Sequence, residues 1–247
     1  MTSMRIPAGL YFHGAEAVPA PLASLDDAPD DAAAINFRRI RRYRGGLSRL
    51  TGLRELWAQA VDQDFLDDIA RVPSLERVYL SQLTATDLLP LTRLPRMTRL
   101  HINGATRMSD LEWAAPLREL DVLALEHLPK VRSLEPLAAL TQLRSLGVEG
   151  AMDSTVRVAS LAPLSALTRI EYLFLTALRS DDRSLRPLHA LKALKGLECA
   201  RHFPDAEFVA LRSALPELQC RWFDMLDAYP TLAEGTRSAV RRMVGSD

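Results

Sequence analysis

Two cysteines in 247 residues, Cys199 and Cys220, are too few for a disulfide framework. Lysine is nearly as scarce. Of 31 basic residues only Lys130, Lys192 and Lys195 are lysines, and the rest are arginines. That bias reads either as a GC-rich bacterial gene or as a preference for planar, bidentate contacts. The formal net charge is zero, so no global field draws nucleic acid or an anionic membrane. No window reaches the ~18 apolar residues of a membrane span. The opening "MTSMRIPAGLYFHG" has one early Arg and no apolar run of signal-peptide length. A cytoplasmic protein is the expectation. Catalytic signatures are missing too: no "HExxH", P-loop, nucleophile elbow or "GxGxxG" occurs, and the five histidines (13, 101, 127, 189, 202) are scattered. No enzyme, cofactor or metal is expected.

What the chain does have is repetition. Its composition, 48% hydrophobic and 25% charged, is that of a protein with a sizeable core. The phrase "LHINGA" at 100–105 returns as "LYFHGA" at 10–15 and "LGVEGA" at 146–151. Aligned on such "L-x-L" phrases, the first apolar places are Leu10, Ile35, Leu56, Val78, Leu100, Leu123, Leu146, Leu173, Leu197 and Leu218, in steps of 21 to 27 residues. The frame extends backwards from each phrase. "LEPLAALTQLRSLGV" places leucines at 134, 137, 140, 143 and 146, then Val148. A three-residue period suits a 3₁₀-like turn that buries one edge, and the closing two-residue period suits a strand with one face in the core.

The stretches "DLLPLTRL", "SLEPLAALTQL", "SLAPLSALTRI" and "SLRPLHALKAL" resemble the leucine-rich repeat, most closely the ~22-residue bacterial class found in internalins. The resemblance covers roughly 35–223. It implies an α/β solenoid, a right-handed horseshoe with a parallel concave sheet of about nine or ten strands and a convex side of 3₁₀ or short helical segments. Asp87, Ser133, Ser160 and Ser184 sit where a cap would start each convex turn, and Pro90, Pro136, Pro163 and Pro187 pre-set φ in the first turn. "DLEWAAPLREL" carries Trp113 where the proline should be. The family's asparagine, three places after the second strand leucine, is replaced by Ile40, Val61, Leu83, Ala105, Leu128, Ala151, Leu178 and His202. The loop amides it serves must therefore find backbone or water partners, at about 1–3 kcal/mol each if they do not.

Residues 1–34 read as a cap with an edge strand at 10–15, followed by a Pro-rich acidic loop or short helix. Residues 35–223 are the solenoid and 224–247 a closing tail. After Asp205 the spacing of Phe208, Leu211 and Leu215 is helical. The polar stretches 151–160 and 177–184 read as loops on one rim, either insertions or part of a binding edge.

In such a sheet the residues between and after the core rungs face the concave side. These residues form a row of Trp57, Tyr79 and His101 with Tyr11, Arg38, Gln59, Arg99, Asn103, Glu126 and Phe174 around it. Aromatics and arginine are the residue types enriched at interface hot spots. The expectation is a non-catalytic protein-binding face on a monomeric bacterial adaptor or regulator. An immunity-type or secreted effector protein is the alternative use of the same surface. His101, Glu126 and Glu149 fall on adjacent strands and offer the one metal or acid–base alternative. "RRIRRYR" at 38–44, with Ile40 buried and Arg38 and Arg39 on the concave side, reads as a cap pairing with upstream "DDAPDD", an acidic-partner site or, more weakly, a nucleic-acid patch.

Overall fold

The computed structural model describes residues 6–7, 10, 18–41, 43–151 and 154–228. Nine strands form one parallel sheet: β1 (Pro21–Leu22), β2 (Ala34–Arg38), β3 (Glu55–Gln59), β4 (Arg77–Ser81), β5 (Arg99–Asn103), β6 (Val122–Glu126), β7 (Ser145–Glu149), β9 (Tyr172–Leu175) and β11 (Gly196–Cys199). A second sheet pairs β8 (Val156–Val158) with β10 (Leu178–Ser180), also in parallel. The register follows the leucine frame. Leu56, Val78, Leu100, Leu123, Leu146, Leu173 and Leu197 are successive partners and all are buried.

The three-residue period is the hydrogen-bond period itself. Leu91 N–H donates to the Leu88 carbonyl, Leu94 to Leu91 and Met97 to Leu94, at 3.0, 3.1 and 3.2 Å. Leu137, Leu140 and Leu143 repeat the pattern from Leu134, each at 3.0 Å. An i→i+3 bond brings every third side chain to the same edge, so this spacing both closes the turn and fills the core. Each of the four motif turns starts as expected. The side chains of Asp87, Ser133, Ser160 and Ser184 accept from the N–H two residues on, at 2.9, 3.2, 3.0 and 3.2 Å, and Pro90, Pro136, Pro163 and Pro187 sit in the first turn. Trp113 replaces proline by burial instead, its indole N–H reaching Met108 Sδ at 3.1 Å.

The missing asparagine is answered by backbone. Ala60, Gln82, Gly104 and His127, each directly after a strand, take positive φ (56°, 52°, 78° and 56°). Their N–H groups extend the ladder to the next strand's last carbonyl at 3.0 Å: Ala60 to Ser81, Gln82 to Asn103, Gly104 to Glu126 and His127 to Glu149. The chain then turns inward, so Val61, Leu83, Ala105 and Leu128 become core side chains. The Val61 carbonyl takes the N–H groups of Thr84 and Ala85 at 2.8 and 3.2 Å. Holding a non-glycine residue in this conformation costs on the order of 1 kcal/mol, less than leaving a buried amide unpaired.

Two repeats use true helices. In α1 (Gln63–Ile69), Asp62 caps the start by accepting from Phe65 N–H at 3.1 Å, and Phe65, Leu66 and Ile69 are buried. The helical spacing after Asp205 becomes α2 (Asp205–Ala214), burying Phe208 and Leu211. A third helix, α3 (Arg221–Ala228), closes this end, its Trp222 N–H donating to the Cys199 carbonyl at 2.8 Å. Cys199 and Cys220 are unbridged and buried.

Four expectations need correction. The first strand of the sheet, Pro21–Leu22, lies inside the stretch read as a loop or short helix; the edge strand expected at 10–15 lies, apart from Leu10, outside the described residues. The sheet has nine strands among the described residues, within the nine or ten expected, and Leu218 is buried beside an isolated bridge, Gly196 to Gln219. Ile40 is 41% exposed rather than buried, because the chain leaves the frame there. "DDAPDD" does not pair with "RRIRRYR" among the described residues. Asp30 binds Arg49 at 2.5 Å, while Arg39 reaches Asp62 at 2.8 Å. The two polar rim stretches are not plain loops, because β8 and β10 bury Val156, Val158 and Leu178.

Candidate functional site

The concave face begins with a polar and aromatic network over β3 to β5. Trp57 stacks on Tyr79 with ring centroids 4.6 Å apart, and Tyr79 meets His101 edge-on at 4.7 Å. Register puts them there, since Trp57, Tyr79 and His101 are direct cross-strand partners. Glu55 fixes the first ring by accepting the Trp57 indole N–H at 2.7 Å, and Arg77 grips the same carboxylate through Nε and Nη2 at 2.7 and 2.6 Å. His101 Nε2 lies 2.9 Å from Glu126 Oε1, whose second oxygen accepts from Asn103 Nδ2 at 2.7 Å. Burial pushes the Tyr79 phenol upward; the Glu126 carboxylate adds to this and a hydrogen bond with Ser81 opposes it.

Trp57, His101 and Phe174 are buried, at 9%, 0% and 3% exposure, so the aromatic row is not the open surface its sequence suggests. Tyr79, Arg99, Gln59, Asn103 and Glu126 are half-buried and Arg38 is exposed. Gln59 donates to Asn36 at 3.1 Å, and Asn36 donates in turn to the Pro19 carbonyl at 3.1 Å. Tyr11, the remaining expected site residue, lies outside the described residues, as does His13.

From β6 to β9 the face changes character. Leu10 is 4% exposed and packs with Val122, Tyr172 and Phe174, with Ile6 beside it. The Ser145 hydroxyl donates to the Leu10 carbonyl at 2.6 Å across 135 residues of sequence. The small Ala124 and Gly147 are cross-strand partners on this same face, with Phe174 next in register. Gly147 also gives room to a neighbour, because a Cβ there would lie 3.1 Å from Glu149 Oε1.

Four residues that matter here were not among the expected ones: Glu55, Val122, Ser145 and Tyr172. All occupy the place just before the first core rung, which also points to the concave side. Their row reads Glu55, Arg77, Arg99, Val122, Ser145 and Tyr172, and its switch from charged to apolar is the signal in the sequence that marks the change.

The acid–base alternative meets a specific geometry. Glu149 is the cross-strand partner of Glu126, so the cluster holds one histidine and two carboxylates, one of them already bound to His101 and Asn103. No group of three or more His, Cys, Asp or Glu side chains able to hold a metal exists among the described residues. The basic run is likewise engaged in part: the Tyr43 hydroxyl donates to Asp68, which also accepts Leu47 N–H at 3.0 Å. Arg38, Arg41 and Arg44 are exposed.

One leucine frame per turn, a continuous parallel sheet inside and 3₁₀ turns outside define the fold as a leucine-rich-repeat solenoid. No protein-family model and no curated protein matches the sequence. Among solved structures, the chain is similar to the plant peptide hormone receptor RGFR1 in complex with RGF2, at 12% identity and a TM-score of 0.50, over 76% of this chain and 34% of that one. It is also similar to internalin C2 from Listeria monocytogenes (24% identity, TM-score 0.49, 64% of this chain and 72% of that one). A third similar structure is the TLR13–ssRNA13 complex (16% identity, TM-score 0.48, 67% and 29%). The chain thus spans about a third of the receptor chains and most of the internalin. Likeness at these identities concerns the fold.

Proposed function

We propose that this chain is a non-catalytic protein-interaction module that binds a protein partner through its concave aromatic and arginine face, as a monomeric bacterial adaptor or regulator in the cytoplasm. The observation that carries this reading is the Trp57–Tyr79–His101 stack, held on both sides by Glu55 with Arg77 and by Glu126 with Asn103. A surface whose side chains are already fixed loses little entropy on docking, so the half-buried Tyr79, Gln59 and Arg99 present ready contacts. A catalytic use of His101, Glu126 and Glu149 is disfavoured because Glu126 is occupied on both oxygens. A nucleic-acid use of residues 38–44 is disfavoured because Arg39 and Tyr43 are turned to Asp62 and Asp68. An immunity-type or secreted effector protein would use the same face and differ only in its partner.

The test is affinity purification of wild type beside Trp57→Ala/Tyr79→Ala and the milder Gln59→Ala/Arg99→Ala. The partner recovered by wild type should be depleted at least tenfold in both variants. Variants that stay folded and keep every partner would sink the reading. Stoichiometric metal in purified protein would favour the enzyme alternative instead.

A further inference from the structure

We infer that the rim carries a docking strip for an acidic, extended segment of a protein partner, formed by Arg132, Arg157, Arg179 and Arg183 around the paired strands β8 and β10. The strip belongs to the second sheet, so it goes beyond the reading given to the concave face and stands without it.

Alternation builds the strip. In β8 and β10 the outer residues of each triplet, Val156, Val158, Leu178 and Ser180, are buried, and the middle ones, Arg157 and Arg179, are exposed. Register then sets these two arginines directly opposite one another. Neighbouring strands run ~4.8 Å apart, and like charges directly opposite destabilise a sheet. Arg132 and Arg183 extend the charge to either side. Arg132 Nη1 donates to the Arg157 carbonyl at 2.9 Å, and Arg183 Nε donates to the His202 carbonyl at 3.3 Å. Both guanidinium groups end on backbone oxygens, which leave their charge uncancelled. The field is felt nearby: burial lowers the His202 imidazole pKa, and Arg179 and Arg183 lower it further.

Carboxylate is the chemistry this strip already takes, because Asp181 binds Arg157 Nε at 2.8 Å. The other local carboxylate, Asp182, accepts instead from Ser184 N–H at 3.3 Å. Among the described residues, Arg179 and Arg183 are left with no carboxylate. A guanidinium fork donates two parallel bonds to a carboxylate, so aspartates or glutamates of an incoming chain fit here. From Arg132 to Arg179 the strip crosses three turns of the solenoid, roughly 10 Å, which spans several residues of extended chain. Single-stranded nucleic acid fits less well. Its bases need aromatic platforms, and the flanking Thr155, Ala159 and Asp181 offer none.

The experiment uses the full chain and a fluorescein-labelled ten-residue oligo-glutamate, read by fluorescence anisotropy in low salt, where exposed charges are least screened. Wild type should bind the probe, and Arg157→Glu/Arg179→Glu should weaken binding at least tenfold. Arg38→Glu/Arg41→Glu makes the same charge change in the other exposed arginine run and should alter binding less than twofold. Equal loss in both variants means general charge attraction and overturns the proposal. So does a wild type that leaves the probe unbound. A labelled ten-nucleotide oligothymidylate bound more tightly than oligo-glutamate overturns it too, and assigns the strip to nucleic acid. Should the double reversal not melt like wild type, Arg157→Gln/Arg179→Gln replaces it; at least threefold weakening is then expected, and unchanged binding sinks the idea. Trp57→Ala/Tyr79→Ala should bind the probe as wild type does, and loss there would move the probe to the concave face and overturn the strip.

Discussion

Across β3 to β5 the concave positions carry Glu55, Trp57, Arg77, Tyr79, Arg99 and His101, whereas across β6 to β9 they carry Val122, Ala124, Ser145, Gly147, Tyr172 and Phe174. Beneath both runs the core rungs are alike. The first half satisfies itself sideways, because each ring or carboxylate finds its partner one strand over. The second half has small residues at its centre and apolar ones at its edge, and it meets its apolar partner in Leu10 from outside the frame. One scaffold therefore presents two chemistries, and the choice lies in the residues that the leucine frame leaves unspecified.

The largest effect should come from the shared scaffold. Leu146→Ala removes a fully buried rung beneath the second half and Leu100→Ala one beneath the first; each should cost about 3 kcal/mol in urea unfolding, with similar loss for both halves. A much smaller cost for either would mean the two halves do not share one core. Next, Trp57→Ala should cost about 2 kcal/mol, since it deletes the stack and leaves Glu55 nearly buried with Arg77 alone. Glu55→Gln should recover part of that loss in the double variant, and full additivity would show that the two side chains act independently.

Leu10→Ala should cost about 1 kcal/mol, a fraction of full leucine burial, and its signature should be local. Hydrogen exchange should quicken in β6 to β9 and stay unchanged in β3 to β5; uniform quickening would erase the distinction between the halves. The smallest effect concerns Glu171, just before β9. Its carboxylate is held below the usual range by Lys195 and Arg144, at 2.5 and 2.6 Å, and the partners are largely exposed. Because the folded group titrates below the unfolded one, its contribution is present above the ordinary glutamate value of about 4.3 and is lost as pH falls through the depressed folded value. Glu171→Gln should lower stability by less than about 1 kcal/mol at pH 7. The difference should shrink as pH falls through that depressed value, and a difference that grows on acidification would reverse the assignment.

The scaffold was legible because one spacing served two purposes. Leucines at 134, 137, 140 and 143 report the 3₁₀ bonds and the buried edge at once. The caps at Ser133 and Ser160 were equally plain, since they bond only two residues away. Helix α1 was not foreseen, although Asp62 followed by Phe65, Leu66 and Ile69 is a capped helical pattern that breaks the three-residue period. The aromatic row was found by its register, but its burial was not, because exposure depends on what lies over a surface as well as on the direction in which a side chain points. Of "LYFHGA" only Leu10 is described, and it packs on the face of the sheet, apart from the core rungs.

The sequence by itself determined the solenoid, because local periods dictate which backbone bonds close and which side chains stack, turn after turn. It determined the identities along the concave rows as well. Only the tertiary structure decided that Leu10 meets Ser145 across 135 residues, and that β8 and β10 pair across the rim. Both contacts join segments whose own patterns carry no memory of each other. Packing against an already formed sheet selects them, and no periodicity in the chain encodes where an apolar side chain outside the frame will land.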